Sequence, residues 1–316
     1  MNKFIRKATD LVTSHEQTRA GFIEAAMEKN KKAQPYIEAA RTLKTMAGEV
    51  GTPIGLLDKD DIMPSLLTAS GLSDKSLQYF TKEDKILAVR QLIEQFLDPA
   101  GEYWVDELVY RYLLIKGDSL GGSMRNYVGM VAKIKVTRKV LSVLQTMGIS
   151  YSILTKDNKT RNQWNDMEYE EDFENAENIC AISWQYKNKD KILFFDSKIP
   201  VVNKNIDICL YKGGPAEYDA GRIVNNSKEA IMFGELKGGI DPAGADEHWK
   251  TANTALERIR VAFQNNIKTS FVGAAIENNM ATEIWKQLKT HVLNNAANLT
   301  VEEQFTDYCK WIVTLN

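Results

Sequence analysis

The sequence predicts an α/β fold in which a mixed sheet flanked by helices follows an N-terminal helical domain. Three observations carry that prediction. Up to about residue 115, apolar residues recur with helical spacing and no alternating run interrupts them. From residue 149 onward, short β-branched and apolar segments lie between turn formers. In the last third these segments alternate with helical ones, as covering the faces of a sheet requires. A chain of 316 residues with 44% hydrophobic content also exceeds the size that one core usually serves, so two lobes are expected.

In chain order, helices are predicted at Asp10–Glu28, at Ile37–Glu49 after a break at Pro35, at Glu83–Leu97 behind a Thr81 cap, and at Trp104–Ile115. The glycine-rich stretch Gly117-Asp118-Ser119-Leu120-Gly121-Gly122-Ser123-Met124-Arg125-Asn126 then opens a helix over Ser123–Met147. Strands are predicted at Ile149–Leu154, Ile179–Tyr186, Ile192–Phe195, Ile206–Tyr211 and Ala230–Lys237, with a tight turn at Lys187–Asp190. A helix over Asp246–Phe263, a strand over Ser270–Ile276 and a helix over Ala281–Leu293 complete the pattern. The boundary divides a helical domain, 1–115, from an α/β domain, 116–316.

Several classes are excluded. There is no run of 18 apolar residues, and the start, Met1-Asn2-Lys3-Phe4-Ile5-Arg6-Lys7, lacks a secretory apolar region. A cytoplasmic protein with no membrane contact is expected. Cys180, Cys209 and Cys309 are odd in number and far apart, which indicates neither a disulfide framework nor a zinc site. The glycine-rich stretch is no P-loop, because no Lys-Ser or Lys-Thr follows at the required spacing, and no dinucleotide fingerprint, because no strand leads into it. No nucleotide cofactor is therefore expected.

The chemistry concentrates in two strands. Ile206-Asp207-Ile208-Cys209-Leu210 is followed by Ile231-Met232-Phe233-Gly234-Glu235-Leu236-Lys237. Side chains alternate along a strand, so Glu235 and Lys237 share one face, and Asp207 on an adjacent strand completes a cluster of two carboxylates and one ammonium. Two hard oxygen ligands suit Mg²⁺, and a lysine beside them can place a nucleophile, which is what phosphodiester hydrolysis needs. A Glu-x-Lys triplet arises about once by chance in a chain this long. The second one, Glu83-Asp84-Lys85, reads as first-turn charge behind Thr81. For Glu235 the bland alternative is a solvated ion pair on an edge strand.

The order Asp … Glu-x-Lys resembles the PD-(D/E)xK nuclease superfamily, with Ile206 where the nominal proline would stand. Together with the glycine-rich stretch and with Gly238-Gly239 … Asp246-Glu247-His248-Trp249, it resembles the AvaI/BsoBI family of type II restriction endonucleases over the whole chain. That resemblance implies a mixed-sheet nuclease core and Mg²⁺-dependent cleavage of double-stranded DNA at the palindrome 5′-CYCGRG-3′, after its first C. It also implies a homodimer, since a palindrome calls for two-fold symmetry, with the helical domain clasping DNA and making dimer contacts. Asp207, Glu235 and the backbone carbonyl of Leu236 would hold the metal. His248, 11 residues beyond Lys237, would act as base or hydrogen-bond donor, its alternative being a purely structural role. Lys204 and Asp241 are the candidate base readers, since lysine donates to guanine and aspartate accepts from cytosine N4; the alternative for each is a loop charge. His15 and His291 fall in amphipathic stretches and carry no such expectation.

A net charge of −2 argues against DNA binding, but the charge is unevenly spread. Residues 116–144 carry +5 and residues 165–177 carry −7, which permits a basic groove with the acid on a far surface. Arg125, Lys133, Arg138 and Lys139 are the candidate DNA contacts from the basic stretch. Two other readings stay open: a repair nuclease of the same superfamily that acts on DNA structure, and a DNA-binding module whose acidic cluster is inert.

Overall fold

Among the described residues, largely buried, near-continuous apolar runs build one eight-stranded sheet from β1 (Tyr151–Thr155), β2 (Asn165–Asp166), β3 (Ile179–Tyr186), β4 (Lys189–Ile199), β5 (Lys204–Lys212), β6 (Ala230–Lys237), β7 (Lys268–Gly273) and β8 (Asn295–Asn298). These are the strands of a computed structural model that describes residues 1–159, 163–219, 223, 227–264 and 266–315, with only the backbone described at Arg125 and Asp219. The strand order is β2-β1-β3-β4-β5-β6-β7-β8, antiparallel as far as β6 and parallel from β6 to β8. The sheet is thus mixed, as expected. The turn between β3 and β4 holds Lys187 and Asn188 at φ 50° and 60°, the left-handed pair that a two-residue hairpin requires.

The helices are α1 (His15–Gly48), α2 (Met63–Ala69), α3 (Lys82–Leu92), α4 (Trp104–Thr146), α5 (Tyr169–Glu174), α6 (Pro215–Asp219), α7 (Ala245–Ala262), α8 (Asn278–Lys289) and α9 (Glu302–Thr314). On one face of the sheet, Cys209, Tyr211, Phe233 and Phe271 pack with Trp249, Leu256 and Ile259 of α7 and Ile284 of α8. On the other, Ile182, Leu193, Leu210 and Met232 pack with Val136, Val140 and Leu144 of α4 and Tyr308 and Ile312 of α9. Among the described residues, no helix is long and apolar enough to cross a membrane.

The chain divides into two units, residues 1–22 with 127–316 and residues 23–126. The expected boundary at residue 115 falls inside α4, and the first 22 residues belong with the sheet. Asn2, fully buried, donates from Nδ2 to the carbonyls of Ala296 (3.2 Å) and Gln304 (2.7 Å). Thr13 Oγ1 donates to Ala274 O at 2.7 Å, and Asn298 Nδ2 to Leu11 O at 2.9 Å. The unit 23–126 has its own core around Leu43, Leu56, Leu66, Val89, Leu97 and Leu108.

Two helical expectations are corrected. The predicted break at Pro35 is absent, because α1 runs through it. A proline inside a helix costs about 3 kcal/mol, and Ala40, Leu43 and Ala47, buried beyond it, offset that. The glycine-rich stretch opens no helix either: α4 continues through 117–126. Each interior glycine costs about 1 kcal/mol, but the helix is pinned by Leu108 and Tyr112 at one end and by Val136, Val140 and Leu144 at the other. The triplet at Glu83 is a helix start, where Thr81 Oγ1 accepts from Asp84 N and Asp84 accepts from Thr81 N.

Candidate active site

The register of β5 against β6 brings the site together. Ile208 lies opposite Gly234 and Cys209 opposite Phe233, so continuing by one residue sets Asp207 beside Glu235. Alternation then puts Asp207, Glu235 and Lys237 on the face that α7 covers. Lys237 Nζ lies 3.0 Å from Glu235 Oε2 and 3.8 Å from Asp207 Oδ2. Asp207 Oδ2 also accepts the Leu236 N–H at 2.7 Å, which fixes its rotamer. An extended residue points its N–H and C=O to the same side, so the Leu236 carbonyl faces the Asp207 side of β6. Gly238 follows at once, and a Cβ there would meet Ala132 Cβ at 2.5 Å and Val128 O at 2.8 Å; only glycine lets α4 approach the strand end this closely.

The electrostatics are strained. Glu235 is 5% exposed. Burial, and then the Asp207 carboxylate, push its pKa up from 4.5 to about 7, against the pull of Lys237. Asp207 is also raised by burial, opposed by Lys237 and by the Leu236 N–H. Two crowded carboxylates matched by one ammonium form a site whose ionised form a divalent cation would stabilise, and the hard oxygen donors on offer are those Mg²⁺ takes.

The site opens into a cavity of about 510 Å³ between β5, β6 and α7. The stripe Trp249, Ala252, Leu256 and Ile259 buries one side of α7, and Trp249 Nε1 donates to Glu283 Oε2 at 2.6 Å. That leaves Lys250, Thr251, Thr254 and Arg258 toward the cavity, together with Lys204 of β5. Helical spacing through 250, 254 and 258 was a readable signal for this wall, and reading the sequence for charge runs alone passed over it.

The other candidates are placed as follows. His248 is exposed on the first turn of α7, one turn before Thr251, and is not among the cavity-lining residues. Asp241 is exposed in the loop after β6, and its Oδ1 accepts the Ala243 N–H at 2.9 Å. The side chain of Arg125 lies outside the described residues. Three basic candidates are engaged within the fold. Lys133, largely buried, pairs with Asp196 at 3.5 Å, and burial lowers its pKa. Arg138 Nε donates to Phe173 O at 2.8 Å with its guanidinium over the Phe173 ring, and Lys139 pairs with Glu302. Of the three, Arg138 alone reaches the acidic stretch 165–177, through Phe173, while Lys133 and Lys139 are held by carboxylates outside it. In that stretch Asp172 is itself buried, accepting from Tyr151 OH at 2.9 Å. The three cysteines are free and buried, as their apolar settings require.

A mixed sheet with Asp207 and Glu235-x-Lys237 on adjacent strands, flanked by helices, defines an α/β nuclease core of the PD-(D/E)xK kind. The family described as "Restriction endonuclease BsobI" matches residues 1–315, and the chain belongs to that family of type II, site-specific deoxyribonucleases. It is 48% identical over 314 residues to the type II restriction enzyme BsoBI of Geobacillus stearothermophilus, covering 98% of this chain and 97% of that one. It is 46% identical over 315 residues to the type II restriction enzyme AvaI of Nostoc sp., covering 98% of both, and equally to AvaI of Anabaena variabilis. At these identities it is a member distinct from either.

Proposed function

We propose that the chain is a Mg²⁺-dependent, homodimeric restriction endonuclease that cleaves double-stranded DNA at 5′-CYCGRG-3′ after the first C. The observation that supports this most is the Asp207–Glu235–Lys237 cluster: a buried pair of carboxylates, short of cation, opening into a cavity with basic walls. Asp207, Glu235 and the Leu236 carbonyl would hold the ion. When bound, Mg²⁺ supplies Lewis-acid polarisation of the phosphoryl group and offsets the charge that builds up in the transition state.

The protein groups do the rest. The Leu236 N–H holds Asp207 in one orientation, so this ligand needs no reorganisation. The Lys237 ammonium hydrogen-bonds Glu235 and is assigned to orient the attacking water in line with the scissile bond. His248, exposed one turn from the cavity, is assigned the proton that the water gives up. Lys204, on the cavity wall, and Asp241 are assigned to base reading, and the palindrome to two subunits acting one per strand. The helical unit is assigned to clasping DNA and to subunit contacts; it carries the strongly exposed Tyr79, Tyr103, Tyr110 and Leu114.

The test is digestion of a DNA of known sequence by the purified chain, with and without Mg²⁺. Discrete fragments ending within CYCGRG sites, Mg²⁺-dependent and absent for Asp207→Ala and Lys237→Ala, are expected. A smear, cutting at branched DNA alone, or retardation without cleavage would overturn the reading. For the two variants, Ca²⁺-supported binding is expected to survive, because contacts to base and phosphate come from other residues.

A further inference from the structure

The cavity wall opposite the carboxylates has a role that the cleavage chemistry leaves open. Lys204, Lys237, Lys250 and Arg258 line the cavity against two carboxylates, Asp207 and Glu235, in a chain whose net charge is −2. Positive charge is therefore concentrated here, where a polyanion must come close to two carboxylates.

These cations are not equivalent. Lys237 is engaged by Glu235 and Asp207. Lys250 sits 2.6 Å from Asp246 and 3.7 Å from Glu247, so its charge is already answered on its own helix. Arg258 is exposed and forms no ion pair among the described residues. Thr254, one turn earlier on the same wall, offers a hydroxyl. An unpaired guanidinium beside a hydroxyl is a bidentate donor set suited to a phosphodiester.

We propose that Arg258, assisted by Thr254, is a positioning residue that grips a non-bridging phosphate of the cleaved strand next to the scissile one. The cavity, about 10 Å across if taken as a sphere of its 510 Å³, matches about three base pairs of axial rise at roughly 3.4 Å each, so the gripped phosphate lies within about three nucleotides of the cut. The contact fixes the register of the strand over Lys237 and carries no sequence information. It rests on the nuclease reading proposed above and names a subsite of that same cavity.

The experiment is binding of duplexes in Ca²⁺, over a series of salt concentrations, by the wild-type dimer and by Arg258→Ala, Arg258→Gln and Arg258→Lys. Thermal midpoints serve as the folding control. Arg258→Ala and Arg258→Gln should weaken cognate and unrelated duplexes alike and lower the slope of log K against log salt by about 0.9, the loss of one phosphate contact. Arg258→Lys should restore the slope. Single methylphosphonate substitutions along the cleaved strand should then identify the contact: one position near the cut weakens wild type and leaves Arg258→Ala unaffected. An unchanged slope, or the same methylphosphonate profile for both proteins, would overturn the assignment. Cleavage by wild type in Mg²⁺ is scored separately, so failure of the nuclease reading shows as no cutting, and failure of this one as cutting with an Arg258-independent phosphate profile.

Discussion

Replacing Glu235 by glutamine should make the metal-free protein more stable while destroying its activity. The folded state raises the pKa of this carboxyl from 4.5 to about 7, through burial and the neighbouring Asp207, and that value already contains the opposing pull of Lys237. A carboxyl raised on folding contributes no penalty below its unfolded pKa, and stability is lost as pH climbs through the folded value. Between the two values, the penalty grows to about 3 kcal/mol at about pH 8, and is still under about 1 kcal/mol at about pH 5. Glutamine keeps the shape and the acceptor oxygen for Lys237 and removes the charge. In a chelator, Glu235→Gln should raise the thermal midpoint at about pH 8 by several degrees, at roughly 2 °C per kcal/mol for a chain of this size, with little gain at about pH 5. Adding Mg²⁺ should close the gap, because the ion stabilises wild type and finds a poorer site in the variant. Calorimetry at both pH values, with and without Mg²⁺, reads all of this, and single-turnover cleavage reads the loss of function. A midpoint gain that does not depend on pH, or equal stabilisation of both proteins by Mg²⁺, would refute the electrostatic argument.

Three further outcomes are expected. Lys204→Ala and Asp241→Ala should each lose about 1–3 kcal/mol of discrimination between CYCGRG and a one-base variant while the salt slope of unrelated DNA stays put; equal losses on both duplexes would show that the residue tested is no reader. His248→Ala should slow single-turnover cleavage by about 10² to 10⁴ with an unchanged thermal midpoint, as befits an exposed side chain, and a rate within a few-fold of wild type would leave Lys237 to prepare the water alone. Lys191 is 1% exposed and bonded through Nζ to Val313 O at 3.1 Å, and burial lowers its pKa from 10.5 to about 8. A lysine lowered on folding penalises the fold below its folded pKa, and the penalty fades as pH rises toward 10.5, so Lys191→Met should gain stability at about pH 7 and lose that advantage by about pH 10. Trp184 Nε1, also 3.1 Å from Val313 O, keeps that carbonyl satisfied in the variant; titration curves that run parallel would argue against the assignment.

Where short-range chemistry decides structure, the sequence was legible. The strands Ile179–Tyr186 and Ala230–Lys237 stand at their predicted residues, and alternation alone grouped Glu235 with Lys237. β8 was missed because Asn-Ala-Ala-Asn has no β-branched residue; it is a strand by virtue of its parallel partner β7. Pro35 and Gly117–Gly122 were read as breaks because local propensity was weighed without the cores that pin α1 and α4 from beyond them. In the site, the triad was legible from two strands, whereas the opposite wall shows only in the helical spacing of Lys250, Thr254 and Arg258 and not in any run of charge. Lys133, Arg138 and Lys139 show the converse: a run of charge says nothing of whether each cation already has a partner. Asp196, Phe173 and Glu302, which engage them, lie far along the chain.

The stitching of Asn2, Leu11 and Thr13 to β8 and its surroundings bears on how the molecule comes into being on the ribosome. The helical unit is one continuous stretch of chain, 23–126, with a core of its own. The sheet unit is split: its first stretch is made early and must wait for Ala296, Asn298 and Gln304, nearly three hundred residues later, to find partners. Asp207, Glu235 and Lys237 are thus translated before the lattice that holds them is closed. Chains that stop short of β8 would leave Asn2 without its acceptors, the Leu11 carbonyl without its donor and the sheet without its last strand. The sheet that carries the site is thus finished only once β8 has been made.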